Sequence, residues 1–166
     1  MTADLTAYTP AQRRAGVLLH LTSLPGAGPN GDLGWEAFHF VNFLKACGIS
    51  LWQMLPVGPP QADGSPYQTS SAHAGNPALI GLEPLHRDGW LDTGPDETID
   101  KTQALRRAHT QFQQIAGDAD RQALDAFCGE HAYWLDDYAL FRASHEERGT
   151  CWWEWPKGLR RRESRA

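Results

Sequence analysis

The chain has 166 residues, 41% hydrophobic content, a mean hydropathy of −0.50 and a formal net charge of −5. That length supports one ordinary domain with a core, and the balance excludes both a disordered chain and a membrane-embedded one. No basic stripe is available to neutralise phosphates, which argues against nucleic acid as a partner, and the basic run Arg160-Arg161-Arg162 reads as a solvated helix end.

Ala15 to Leu21 (AGVLLHL) is a short continuous apolar run that suits a strand buried on both faces. Residues 22–33 (TSLPGAGPNGDL) hold two prolines and three glycines and read as a loop. A helix is expected from about Trp35 to Cys47. Ala37, Phe40, Val41 and Leu44 repeat at helical spacing, Glu36 sits in the first turn, Lys45 in the last, and Gly48 is placed to stop it. Leu51 to Val57 reads as the next strand and ends in Gly58-Pro59-Pro60. Strand, helix and strand in roughly 43 residues match a right-handed βαβ unit with parallel strands. Parallel strands need both faces covered, so the unit implies a doubly wound sheet or a barrel, with ligand-binding loops after the C-terminal strand ends. Two loops meet that condition, 22–33 and 58–78, and are expected side by side.

After about Gly94 the pattern becomes helical. Lys101 to Ile115 places Leu105, Ala108, Phe112 and Ile115 at helical spacing. A second helix is expected over about 120–128 with Asp118 as its cap, and a third over 131–144 with Trp134, Tyr138 and Phe141 on one stripe. The segment from about 101 to 147 therefore reads as a helical insertion. Cys47, Cys128 and Cys151 are widely spaced and form no CxxC pair, so the sequence supports neither a structural zinc site nor a disulfide framework. Each is expected as a small apolar residue in a reduced compartment. The N-terminal stretch carries no apolar signal segment and no run of 18 apolar residues occurs, so a cytoplasmic location is expected and no membrane partner. Three of the seven tryptophans fall in one tetrapeptide, Trp152, Trp153 and Trp155, where packing is the expected use.

The loop 58–78 is the most informative stretch. It carries Ser65, Tyr67, Gln68, Ser70, Ser71, His73 and Asn76 behind a short apolar strand, which is how an α/β scaffold presents a ligand. Together with RRAGVLLHLTSLPG (13–26), GDLGWEAFHFVNFLKACG (31–48), LWQMLPVGPP (51–60), SPYQTSSAHAGNPALIGLEPL (65–85), YWLDDYALFRA (133–143) and WWEWP (152–156), it resembles the N-terminal part of the 4-α-glucanotransferases, the amylomaltases or disproportionating enzymes of glycoside hydrolase family 77. The resemblance implies an α/β chain forming the N-terminal part of a (β/α)8 TIM barrel with a helical insertion. Residues 1–94 would be the first βαβ unit with its active-site loop, and 95–166 a helical insertion subdomain.

The implied activity is transfer of α-1,4-glucan segments between maltooligosaccharides through a covalent glycosyl-enzyme, without metal or organic cofactor. Such a retaining mechanism uses a carboxylate nucleophile and a second carboxyl group about 5 Å away. The family's nucleophilic aspartate, acid/base glutamate and stabilising aspartate come from later barrel strands, and none maps onto this sequence. Asp32, Asp63, Glu83 and Asp88 lie near the predicted face but read as loop, turn and capping residues. What carries over is Tyr67, whose ring would pack on the glucose beside the scissile bond, with Ser65 contacting sugar hydroxyls next to it. His20 and Asn76-Pro77 are assigned to structure.

Two positions depart from the family's pattern. Ala62 stands where an aromatic residue of a secondary glucan site would fall, and Leu21 replaces the proline of the usual His-Pro-Thr. A barrel takes about 250 residues in its simplest form, and two strands alone leave open edges and uncovered apolar faces, so the 166 residues alone are expected to be marginally stable and inactive. A truncated or interrupted reading frame is the expected origin, and a companion polypeptide carrying the remaining strands is a possible partner. A non-catalytic glucan-binding protein or an inactive remnant is the alternative.

Overall fold

The computed structural model of the chain describes residues 13–26, 29–92 and 100–163. The break expected after about Gly94 lies outside them. Backbone contacts divide the chain into two compact units, one running to Ser70 and including Gly75–Ile115, the other formed by Ser71–Ala74 and the residues from Ala116 onward.

The first unit begins with the βαβ pattern. Strand β1 (Gly16–Leu18) and strand β2 (Leu51–Gln53) pair in parallel, with Gly16 opposite Leu51 and Leu18 opposite Gln53. Helix α1 (Trp35–Ala46) connects them. Its start carries Glu36 and its end Lys45, and Gly48 adopts φ +72°, the left-handed geometry that terminates a helix without a Cβ clash.

Both strands are shorter than their apolar runs. The chain leaves β1 at His20 and tightens into a 3₁₀ turn over Leu21–Ser23, while Pro56 removes an amide beyond β2. One more ladder bond, Leu19 N–H to Gln53 O at 3.0 Å, and the Trp52 indole donating to Leu19 O at 2.7 Å extend the contact past the strand ends. The expectation of burial on both faces fails at Leu18 and Leu51, which are 60% and 41% exposed. A two-stranded sheet with one crossover helix covers only one of its faces. On the covered side Leu21, Leu24, Ala37 and Leu79 form a core against Leu19, Phe40, Trp52 and Met54, with Phe40 edge-on to Trp52 at 4.9 Å. Of the four positions expected to face that core from α1, Ala37 and Leu44 are buried and Phe40 partly so, but Val41 is exposed.

Beyond β2 the chain makes a 3₁₀ turn at Pro77–Leu79 and a short helix α2 (Leu82–Arg87), neither legible in the hydrophobic pattern. Pro84 is tolerated in α2 because it sits in the first turn, where the backbone N–H has no helical acceptor. Helix α3 (Lys101–Ile115) matches its expected bounds and packs on α2. Leu82, Leu91, Ala104 and Ala108 make a second core, with Leu85, Trp90 and Leu105 around it. The small Ala104 and Ala108 are its fully buried α3 contacts, and Ile115 is exposed.

In the second unit, the two helices expected over 120–128 and 131–144 are a single one, α4 (Asp118–Arg148). Gly129 lies between them and is accommodated as an ordinary helical residue. The cap is Gly117, not Asp118, and its amide donates to Asp120 Oδ2 at 3.2 Å. Helix α4 ends at Gly149, φ +64°. The tail then folds through a 3₁₀ turn (Trp152–Glu154) and helix α5 (Lys157–Arg160). Trp155 is its anchor: it is buried, its ring lies 5.8 Å from that of Phe141, and its indole donates to Thr150 O. Trp152 and Trp153 are exposed, so packing accounts for one of the three clustered tryptophans. Arg162 pairs with Asp137 at the end of this tail.

A methyl group added at Gly129 would meet nothing within 4 Å. Gly129→Ala is therefore expected to raise stability by about 0.5–1 kcal/mol through helix propensity and a less disordered unfolded chain. Urea denaturation read at 222 nm measures it, and an unchanged or lower midpoint would contradict the account.

Candidate functional site

The loop after β2 is built by short hydrogen-bonded closures. Asn76 N–H donates to Val57 O at 2.8 Å across its base. Ser70 N–H to Pro59 O at 3.0 Å and Gln61 N–H to Gln68 O at 2.9 Å pair its arms, with an antiparallel bridge between Pro60 and Thr69. At the tip Gly64 takes φ +71°, and the Asp63 carboxylate accepts the Ser65 amide at 3.1 Å. Backbone bonds from Gly64 N–H to Gln61 O at 2.9 Å and from Gln68 N–H to Ser65 O at 3.1 Å complete the turn, and the Asp and Ser side chains reinforce it.

Tyr67 emerges from this tip 71% exposed. Its amide donates to Ser65 Oγ at 3.4 Å, a long contact that places the two predicted substrate-binding residues together. Ser65 is half-buried. Asn76 fixes the return of the loop: its side-chain oxygen accepts the Ala78 amide at 3.0 Å and caps the 3₁₀ turn. The first loop reaches the same region through Leu33, whose amide donates to Leu79 O at 2.9 Å.

The four carboxylates near this face have structural partners or neighbours. Asp32 Oδ1 accepts the Gly34 amide at 2.8 Å and Oδ2 pairs with Lys101, which also donates to Ala78 O at 3.0 Å. Glu83 lies against Gly34, where a Cβ would fall 2.6 Å from its Oε2. Asp88 is held by Arg87, whose hydrogen bonds draw its exposed carboxyl below the ordinary aspartate range. The Lys101–Asp32 link has no signature in the sequence, because the two residues are 69 positions apart. Nδ1 of His20, at the end of β1, is buried without a hydrogen-bond partner among the described residues.

An open cleft of about 430 Å³ lies along α3, lined by Trp90, Asp92, Arg106, Arg107, Thr110 and Gln111. It contains none of the residues predicted from the sequence. All three cysteines are free and exposed: Cys47 is the C-terminal cap of α1, Cys128 lies in α4 and Cys151 in the tail after it. Among the described residues no group of three His, Cys, Asp or Glu is placed to hold a metal, and no helix is long and apolar enough to cross a membrane.

The 4-alpha-glucanotransferase family model matches residues 19–166. The chain belongs to this family. Among curated 4-alpha-glucanotransferases it is 45% identical to that of Thermus thermophilus over 166 residues, covering 93% of this chain and 33% of the relative. The Aquifex aeolicus 4-alpha-glucanotransferase is 40% identical over 168 residues, with the same coverage. The solved amylomaltase from Streptococcus agalactiae, in complex with acarbose, superposes with a TM-score of 0.75 at 32% identity, covering 92% of this chain and 34% of that one. The chain thus spans about a third of the length of the curated 4-alpha-glucanotransferases it matches.

Proposed function

We propose that this chain contributes one wall of a glucan-binding site in a 4-α-glucanotransferase that moves α-1,4-glucan segments between maltooligosaccharides by a retaining double displacement. The observation that carries the reading is the exposure of Tyr67 on a loop closed at its base, in a chain that belongs to the family. An exposed tyrosine ring offers a flat apolar face for sugar C–H groups and a hydroxyl at its edge. In this reading Tyr67 stacks on a glucose unit and Ser65 bonds its hydroxyls. Residues 1–94 form the first βαβ unit of a TIM barrel and 95–166 a helical insertion subdomain.

Double displacement needs two carboxyl groups about 5 Å apart with freedom to reach the sugar. Asp32, Asp63 and Asp88 are instead engaged by Lys101, Ser65 and Arg87. We therefore assign the acid, base and nucleophile to parts of the barrel outside these 166 residues. The 166 residues as they stand are expected to bind maltooligosaccharides and to show no transfer. Isothermal titration with maltoheptaose checks the first point, and glucose release from maltotriose checks the second. Absence of any saturable binding would refute the glucan-binding reading, and disproportionation by the purified chain alone would refute the placement of the carboxylates. The engaged carboxylates also favour the second reading, a glucan-binding protein without catalysis, which a failure of the remainder of a family barrel to restore transfer by complementation would support.

A further inference from the structure

The turn after α2 builds the floor of the cleft along α3, and every residue that lines it belongs to the first unit. Gly89 adopts φ +80° and ends α2, after which the amides of Trp90 and Leu91 both donate to Leu85 O, at 2.8 and 3.2 Å. Leu91 is buried, and the Trp90 ring packs on the second core and lies 5.1 Å from Phe112. The indole is thus fixed by the core while it still lines the cleft. From α3, Arg106 with Thr110 and Arg107 with Gln111 form two (i, i+4) pairs on one strip of the helix, and Asp92 completes the lining. Several of these groups have no partner in the fold. The Asp92 carboxylate, the Arg107 guanidinium, the Gln111 carboxamide and the Trp90 indole N–H make no hydrogen bond or ion pair among the described residues.

Opposite charges that share a cleft without pairing leave a strong acceptor and a strong donor for a guest. A free anion would meet the Asp92 carboxylate and a free cation the guanidinium groups, so the site matches neither. It matches a neutral polyol. Sugar hydroxyls donate to a carboxylate and accept from guanidinium, carboxamide and indole N–H, while sugar C–H groups lie on an aromatic face. The volume of about 430 Å³ falls within the range of small-molecule pockets, about 300–1,000 Å³. We propose that this cleft is a second saccharide site that takes a short α-glucan segment, with Trp90 as the stacking surface and Asp92 and Arg107 as partners of its hydroxyls. It shares no residue with the loop 58–78, so it is separate from Tyr67 and from the position of Ala62. The choice of an α-glucan among sugars rests on the family reading above, whereas the fit to a saccharide rests on the cleft alone.

The test is calorimetric titration of the full chain with maltotriose in a Tyr67→Ala background, which removes the stacking ring of the loop. Saturable binding is expected to persist there, and Asp92→Ala and Arg107→Gln are each expected to raise its Kd about tenfold. Both residues are exposed, so neither change opens a cavity. Maltotriose is also expected to alter the tryptophan emission of the Tyr67→Ala chain. Trp90→Phe keeps a ring against Phe112 and is expected to abolish that change. The proposal is overturned by an absence of saturable binding in Tyr67→Ala, by an affinity that neither cleft substitution moves, or by an emission change that survives Trp90→Phe. Saturable binding of free leucine without binding of maltotriose also overturns it, since the same two charges would then be reading an amino acid. If Tyr67→Ala keeps the full wild-type affinity while the cleft variants lose it, the second site stands and the Tyr67 reading fails.

Discussion

Gly81→Ala is expected to destabilise the first unit by roughly 1–3 kcal/mol, the overpacking range. A Cβ at this position would fall 2.6 Å from both Cα and N of Gly34 and 2.9 Å from the carbonyl carbon of Leu33. These are backbone atoms, so no side-chain rotamer relieves the clash. The strand of chain they belong to is also fastened. The Gly34 amide donates to Asp32, the Leu33 amide donates to Leu79 O, and Asp32 is paired with Lys101. Moving Gly34 aside would therefore strain a set of bonds that joins the start of α1 to the start of α3. Gly75→Ala is the control, because a Cβ there meets nothing within 4 Å and its φ is not in the left-handed range. Urea denaturation of the two variants decides the matter. Equal midpoints for Gly81→Ala and Gly75→Ala would show that the two glycines do not hold the backbones together.

Tyr67→Ala is expected to weaken maltooligosaccharide binding at least about tenfold, on the order of 1.4 kcal/mol, with no loss of fold stability. The separation of the two effects follows from geometry. The side chain is 71% exposed and the residue is tied to the loop through its backbone amide, so truncation removes a ligand surface and leaves no cavity. Tyr67→Phe keeps the flat ring and is expected to stay within about threefold of wild type, since stacking persists and only one edge hydroxyl is lost. Titration with maltoheptaose measures both. Wild-type affinity in Tyr67→Ala would remove this residue from the binding surface, and a large loss in Tyr67→Phe would shift the weight from ring to hydroxyl.

The parts of the fold legible in the sequence are those set by local chemistry. The span of α1 follows from its apolar spacing and from Gly48, whose positive φ ends the helix, and α3 is visible through its amphipathic period. The parallel pairing of β1 and β2 follows from a connection too long for a hairpin. Strand length was not legible, because an apolar run looks the same whether it is paired, as Gly16–Leu18 is, or turns into a 3₁₀ segment, as at Leu21. The unity of α4 was hidden by Gly129, since a single glycine is a weak breaker when residues on both sides form helix. At the site, the roles of Asp32, Asp63 and Asn76 as loop-fixing groups were readable from their residue types. The Lys101 partner of Asp32, the contact of Gly34 with Gly81 and the stacking of His73 on Trp134 at 5.7 Å were not, because each joins residues distant in sequence.

Helix α4 is not one structure thermodynamically, although its backbone is continuous. From Asp118 to Glu130 every residue is exposed, whereas beyond His131 the rings of Trp134 and Phe141 contact residues outside the helix and Ser144 is buried. Exposed helix in water is held by little more than propensity and end effects, which sum to marginal stability over three or four turns. The N-terminal half can therefore melt and re-form as a local event while the C-terminal half opens only when the unit unfolds. A single rod with a loose end and a packed end gives the unit a soft arm.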